Sequence, residues 1–160
     1  MLFLSTTKRR VLTTLLFLFF TACNPTCRQW ECDEAVTCSR CYDSVRLLIS
    51  CDNPFNGIGV EIIGTSENLR MYLNVYAYPL LPISPDSQEV IVTITIDGND
   101  CSCNAYLFEG GQRLLVPPEF SEQIIEGLLD EQCVIISIGP YKAEIPHRNF
   151  AKSYSLLWQL

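Results

Sequence analysis

The chain is poor in the side chains from which active sites are most often built. It holds a single histidine, His147, and two methionines in 160 residues. Apart from Lys8, Arg9 and Arg10 in the first ten positions, it has only 8 basic residues against 18 acidic ones, a net charge of -10. A surface of that sign repels phosphate backbones, and no basic stripe interleaved with aromatics offsets it, which excludes nucleic acid as a partner. No apolar run approaches the roughly 20 residues that a helix needs to cross a bilayer. Signatures of serine hydrolases, zinc proteases, P-loop nucleotide binding and calcium loops are all missing. There is no internal repeat and no low-complexity segment. Asp97-Gly98-Asn99-Asp100 offers oxygen ligands but lacks the length and closing Glu of a calcium loop, so it reads as a turn. Glu109-Gly110-Gly111-Gln112-Arg113 precedes a strand rather than a helix, so it reads as a hairpin loop and not a phosphate cradle. His147, behind Pro146 with no Ser or Asp motif around it, reads as a surface residue.

What the chain has in excess is cysteine, nine of them, at 23, 27, 32, 38, 41, 51, 101, 103 and 133. In a reducing compartment such a set points to metal, and in an oxidising one to disulfides. The N-terminus bears on that choice. Lys8-Arg9-Arg10 forms a positive region, Val11 to Phe20 an apolar run broken only by Thr13 and Thr14, and Thr21-Ala22 supplies the small residues of a cleavage site.

Phe20-Thr21-Ala22-Cys23 resembles the lipobox of bacterial lipoproteins, with Phe20 where that family usually has Leu. The resemblance covers the signal segment alone and implies cleavage after residue 22. It further implies a diacylglyceryl thioether on the Cys23 sulfur and an acyl chain on its new amino terminus. Two or three chains hold durably where one binds reversibly, since each buried methylene contributes about 0.8 kcal/mol. Asn24 stands where an Asp would retain an enterobacterial lipoprotein at the inner membrane, so the resemblance points to the outer membrane, on its periplasmic side or at the cell surface. The alternative is an ordinary secretory signal cut near Ala22, which leaves Cys23 as one more disulfide partner.

With Cys23 acylated, eight cysteines remain, an even number that permits full pairing. Cys27, Cys32, Cys38, Cys41 and Cys51 lie early, and Cys101, Cys103 and Cys133 late; both counts are odd, so complete pairing requires a bridge between the groups. Cys101 and Cys103 lie two apart on a strand, projecting from one face about 6.6 Å apart. A disulfide needs Cβ atoms about 3.5–4.5 Å apart, so each must look elsewhere for a partner or stay a buried thiol. Cys38-Ser39-Arg40-Cys41 admits a thiol redox or metal-binding reading, but no strand precedes it as a redox helix would require.

From 24 to 42 the chain is polar, acidic and without apolar period, and reads as an irregular bridged cap. Beyond it come short runs rich in Val, Ile, Leu and Tyr: Ser44 to Cys51, Gly57 to Ile63, Leu69 to Tyr76, Glu89 to Ile96, Cys101 to Phe108, Arg113 to Val116, Cys133 to Ile138 and Tyr141 to Ile145. In Glu89 to Ile96 the alternation puts Val90, Val92, Ile94 and Ile96 toward a core and Ile91 on the polar face. Asp97-Gly98 predicts a tight hairpin. Pro117-Pro118 opens a helix with Glu119 and Glu122 in its first turn and Phe120, Ile124, Ile125, Leu128 and Leu129 as its apolar stripe. A short helix from Asn149 to Leu157 puts Phe150, Tyr154 and Leu157 on one side. Tyr72, Tyr76 and Tyr78, with Leu80 and Leu81, read as a strand face packed on the core, with an aromatic binding surface as the other reading.

The expectation is therefore a signal at 1–22, a lipid-anchored cysteine-rich cap at 23–43, and one mainly β (α+β) domain at 44–160. That domain is a small antiparallel sandwich or open barrel with a packed helix. No cofactor is expected apart from the acyl chains, and no catalysis. The role expected is structural or partner-binding at the envelope; a thiol or metal protein using Cys38 and Cys41, and a disulfide-cross-linked envelope protein, are the alternatives.

Overall fold

The structure, a computed structural model, describes residues 29–36, 43–50, 57–64, 68–76 and 79–158. It is mainly β, in the open-barrel form: nine antiparallel strands make a single curled sheet, with two helices packed against it. The strands are β1 (Glu31–Val36), β2 (Asp43–Ile49), β3 (Ile58–Gly64), β4 (Leu69–Val75), β5 (Glu89–Ile96), β6 (Asn99–Leu107), β7 (Arg113–Leu115), β8 (Val134–Ile138) and β9 (Tyr141–Ile145). The helices are α1 (Pro118–Leu129) and α2 (Phe150–Leu156). In space the strands run β1-β2-β3-β4-β7-β6-β5-β8-β9. A meander of four strands is thus joined to a second meander through the short β7, and α1 carries the chain across to β8.

Local chemistry sets the hairpins. Ile96 pairs with Asn99 across a two-residue turn, in which Asp97 (φ 46°) and Gly98 (φ 83°) are both left-handed. That is the backbone of a type I′ turn, whose twist matches the strands it joins, and it suits Asp-Gly because Asp tolerates positive φ and Gly is indifferent to it. Asp97 also exchanges two hydrogen bonds with Cys133: its N–H donates to the Cys133 carbonyl (3.0 Å), and its Oδ1 accepts from the Cys133 N–H (2.9 Å). The turn is thereby tied to the chain entering β8.

The inner face of the sheet is continuous and apolar: Val45, Leu47 and Ile49 on β2, Ile58, Val60 and Ile62 on β3, Met71, Leu73 and Val75 on β4, and Val90, Val92 and Ile94 on β5, all buried. Both helices lie on this side, α1 against β4, β5 and β8, and α2 against β1 and β2. A Cβ on Gly127 of α1 would stand 3.2 Å from side-chain carbons of Ile96 and Val134, so the helix approaches closely there. Ile124, Ile125 and Leu128 fill the interface as the stripe predicts, whereas Leu129 is 39% exposed, because it falls on the flank turned from the sheet.

Residues 31–36, expected within an irregular cap, instead pair with β2 from Glu31↔Leu48 to Val36↔Asp43. An edge strand takes its hydrogen bonds from the neighbouring ladder and does not need an apolar pattern of its own, which is why the segment carries no strand signal. Trp30 just before it is buried, packs against Phe150 with the rings tilted by 56° and 4.9 Å between centroids, and donates from Nε1 to the carbonyl of Pro146 at 2.8 Å. That contact joins the start of β1 to the end of β9 across 116 residues and draws the curl together.

Trp30→Ala is expected to lower unfolding free energy by about 3–5 kcal/mol, through lost burial and the cavity left behind. Trp30→Phe, which retains a ring but drops the hydrogen bond, should cost about 1 kcal/mol plus a smaller packing loss. Urea midpoints of the two variants check both values; an unchanged midpoint for Trp30→Ala would remove the closure role.

Candidate functional site

Because the helices occupy the inner face, the side chains at alternate positions of every strand point outward with no element above them among the described residues. The centre of that outer face is organised around Glu61 on β3. Its side chain is only 8% exposed, and it accepts from Arg113 Nη2 at 2.9 Å and from Arg46 Nη1 at a longer 3.4 Å. A carboxylate so enclosed needs this pairing, since an isolated charge there would lose its hydration without recompense. Arg113 on β7 places its guanidinium carbon 4.1 Å from the centroid of the Tyr72 ring on β4, a cation–π contact. Its Nε is buried without a hydrogen-bond partner.

Beyond Tyr72 the aromatic surface continues. Phe108 stands 6.0 Å from Tyr72 and 5.3 Å from Tyr106, edge-on to the latter, which donates from its hydroxyl to Gln88 Oε1 at 2.6 Å. Tyr76 lies over β3, where a Cβ on Gly59 would meet its ring at 3.4 Å. Tyr76, Tyr106, Phe108 and Ile91 are 48, 44, 36 and 53% exposed. Ile91 is thus on the outer face, as the alternation of β5 requires. Tyr72 and Tyr76 share a face as period two predicts, but it is the face opposite the core; Leu80 turns inward, Leu81 stays in solvent, and Tyr78 lies outside the described residues.

Of the cysteines singled out, Cys23, Cys27, Cys38, Cys41 and Cys51 lie outside the described residues. Cys32 is exposed on β1. Cys101, Cys103 and Cys133 carry free thiols, respectively half-buried, buried and exposed. Cys101 and Cys103 project to the inner face of β6 beneath α1, as the strand period predicts. Cys101 donates to the Ile94 carbonyl (3.5 Å) and toward Gln123 Oε1 (3.7 Å). Burial, helped by the neighbouring Cys101 and Glu119, pushes the Cys103 thiol up to about 11 from an ordinary 9.0. It is held neutral and is a poor nucleophile. No three metal-ligating side chains converge among the described residues.

Asp97 and Asp100, the oxygen ligands of the turn, are occupied by Cys133 N–H and by the Thr95 hydroxyl (2.6 Å). His147 is exposed, as expected, and lines a cleft of about 420 Å³ with Arg148, Lys152, Glu131 and the leucines that end α1.

Sequence reasoning did not single out Glu61, Arg113 or Phe108. Glu61 had a signal: a carboxylate inside the apolar run Ile58-Gly59-Val60-Glu61-Ile62-Ile63 must be paired or exposed. Its partners come from β2 and β7, 15 and 52 positions away, beyond any local pattern. No family model, curated protein or solved structure matches this chain.

Two outcomes follow. Glu61→Gln should lower stability by about 1–2 kcal/mol, less than a fully buried pair because both arginines are near 40% exposed, a difference readable in urea melts. Timed alkylation at neutral pH, mapped by peptide mass, should label Cys133 before Cys101, and Cys103 only on unfolding. Since the folded state holds the Cys103 proton more tightly, its contribution to stability is complete below pH 9 and is lost as pH rises toward 11.

Proposed function

We propose that this chain is an envelope-anchored bacterial lipoprotein, cut after Ala22 and acylated on Cys23. Its β domain serves a structural or partner-binding role rather than a catalytic one. The reading rests on the lipobox-like segment for its place, and on the outer sheet face for its role. That face exposes Tyr76, Tyr106, Phe108 and Ile91 around the Arg113–Glu61 pair. Tyr, Phe and Arg are the side chains enriched where protein surfaces bind one another, and burial of aromatic anchors carries most of the energy at such contacts. The absence of an Asp at position 24 favours the outer membrane by the same resemblance.

A second reading, in which disulfides link this chain to neighbours in the outer envelope, draws support from the exposed Cys133 thiol. Bridges inside the cysteine-rich N-terminal segment are compatible with either.

Intact mass of the protein purified from membranes, before and after reduction, tests the proposal. The expected species begins at Cys23, carries diacylglycerol and an amide-linked acyl chain, and gains two mass units per bridge on reduction. An unmodified Cys23 defeats the anchor, and disulfide-linked ladders on a non-reducing gel select the cross-linked reading.

A further inference from the structure

No charged side chain stands between Arg70 and Asp86, in a chain of which 18% is charged. The last part of that stretch, Pro79 to Pro85, lies on the surface but is not loose. Leu80 is buried and anchors it, its N–H donating to the Gly111 carbonyl at 2.6 Å, and the Ile83 N–H donates to the Glu89 carbonyl at 2.8 Å. Between those fixed points Leu81 is 85% exposed, and Ile83 itself is 50% exposed. Prolines at 79, 82 and 85 restrict φ along the segment, so both apolar side chains are held out in water by a backbone with few alternatives.

The segment is strung along the β6–β7 hairpin, which carries the exposed aromatics. Glu89, bonded to Ile83, stands opposite Tyr106 in the β5–β6 ladder; the Tyr106 hydroxyl bonds Gln88, and Phe108 meets the Tyr106 ring at 5.3 Å. At the hairpin loop the segment passes so close that a Cβ on Gly111 would stand 2.9 Å from Pro79, and Gln112 Nε2 donates to the Tyr76 carbonyl at 3.0 Å. Leu81, Ile83, Tyr106, Phe108 and Tyr76 thus belong to one stretch of surface, joined through these contacts. Its rim is acidic: Asp86, Glu89 and Glu109 are all exposed, and the neighbouring cation, Arg113, is taken by Glu61.

We infer that this surface docks a protein partner whose contacting segment is both apolar and basic. The inference rests on the partner-binding reading above and names the chemistry of that partner. Exposed apolar side chains grouped in this way mark contact sites, and three carboxylates around them repel a partner of their own sign while drawing in lysine or arginine. The same carboxylates disfavour the bilayer as occupant, because anionic headgroups repel them. They disfavour a second copy as well, since a two-fold contact would set the same acidic rims against each other. The proline-restricted backbone, tied at both ends, lowers the ordering cost of binding.

The test uses the full acylated protein in phosphatidylcholine nanodiscs, with empty nanodiscs as the blank and a dye-labelled dodecapeptide of alternating leucine and lysine as the probe. Peptides of leucine and glutamate, and of serine and lysine, are the controls. Fluorescence anisotropy should show saturable binding of the leucine–lysine peptide alone. Leu81→Ser/Ile83→Ser should weaken it about tenfold or more, and Asp86→Lys/Glu109→Lys should weaken it as much while conferring binding of the leucine–glutamate peptide. All four positions are exposed, so unchanged urea midpoints separate a lost contact from a lost fold. Absence of saturable binding, equal binding of either control peptide, or binding unchanged in either double variant would overturn the inference. Leu81→Trp, read against the wild-type signal, decides the other occupants. Quenching by brominated lipid before peptide is added would give the surface to the bilayer, and shielding from acrylamide that grows with protein per nanodisc would give it to a second copy; either result overturns the inference. Protein that fails to enter nanodiscs defeats only the anchor, and the same titration in solution then decides the surface.

Discussion

A sheet nine strands wide, apolar along its inner face, has among the described residues only a 12-residue and a 7-residue helix to cover it. That shortage shapes the molecule. Exposed, the inner face would forfeit about 25 cal/mol for each Å² of apolar surface left in water, and two short helices cannot roof a flat sheet of that width. The sheet curls instead, so that it helps to cover itself, and β3 comes into contact with β9. Phe150, fully buried, occupies the place where Trp30 and α2 meet, and the Trp30–Pro146 hydrogen bond fastens the two ends of the curl. Polar groups drawn into this closure are satisfied there, which is what allows an indole N–H to lie inside it.

The outer face is the consequence. Once both helices are used on the concave side, nothing among the described residues remains to cover the convex one, and its side chains must be compatible with water. Most are: Thr93 meets Ser102 at 3.1 Å, and Asn104 donates to Glu89 at 3.1 Å. The exception is the group around Tyr72, Phe108 and Tyr106, where Glu61 and Arg113 lie under and beside aromatic rings. In the partner-binding role proposed above, a surface that is apolar and yet threaded by a paired carboxylate would select a partner that can also match charge. The same division of faces accounts for the thiols. Cys103 is protected because β6 turns it beneath α1, and Cys133 is open because it stands on the connection into β8.

How much of this could be read in advance varies by element. β5 and β9 match their expected limits, and the Asp97-Gly98 turn and α1 stand where Asp-Gly and Pro-Pro place them. These depend on residues a few positions apart. β1 left no trace because its pairing is supplied by β2, and the apolar weight of that region sits in the single residue Trp30, whose partners are near position 150. The tyrosines were placed on one face but on the wrong side of the sheet. Period two states which side chains travel together and says nothing about which of the two faces is buried when both contain large residues. Likewise β4 pairs with β7 and β5 with β8, strands not consecutive in the chain, and no local pattern marks such pairings.

The sequence by itself therefore determined the hairpins, the long helix, the acidic balance and the alternation of each strand, because turn chemistry and side-chain period act over two to four residues. Tertiary structure alone decided that the strands form one curled sheet rather than two layers, that Tyr72 faces outward, that Glu61 meets Arg113, and that the start of β1 lies beside Pro146 at the end of β9. Each of those depends on how a wide apolar face is buried with little helix to cover it, and the contacts that solve that problem join residues as many as 116 positions apart.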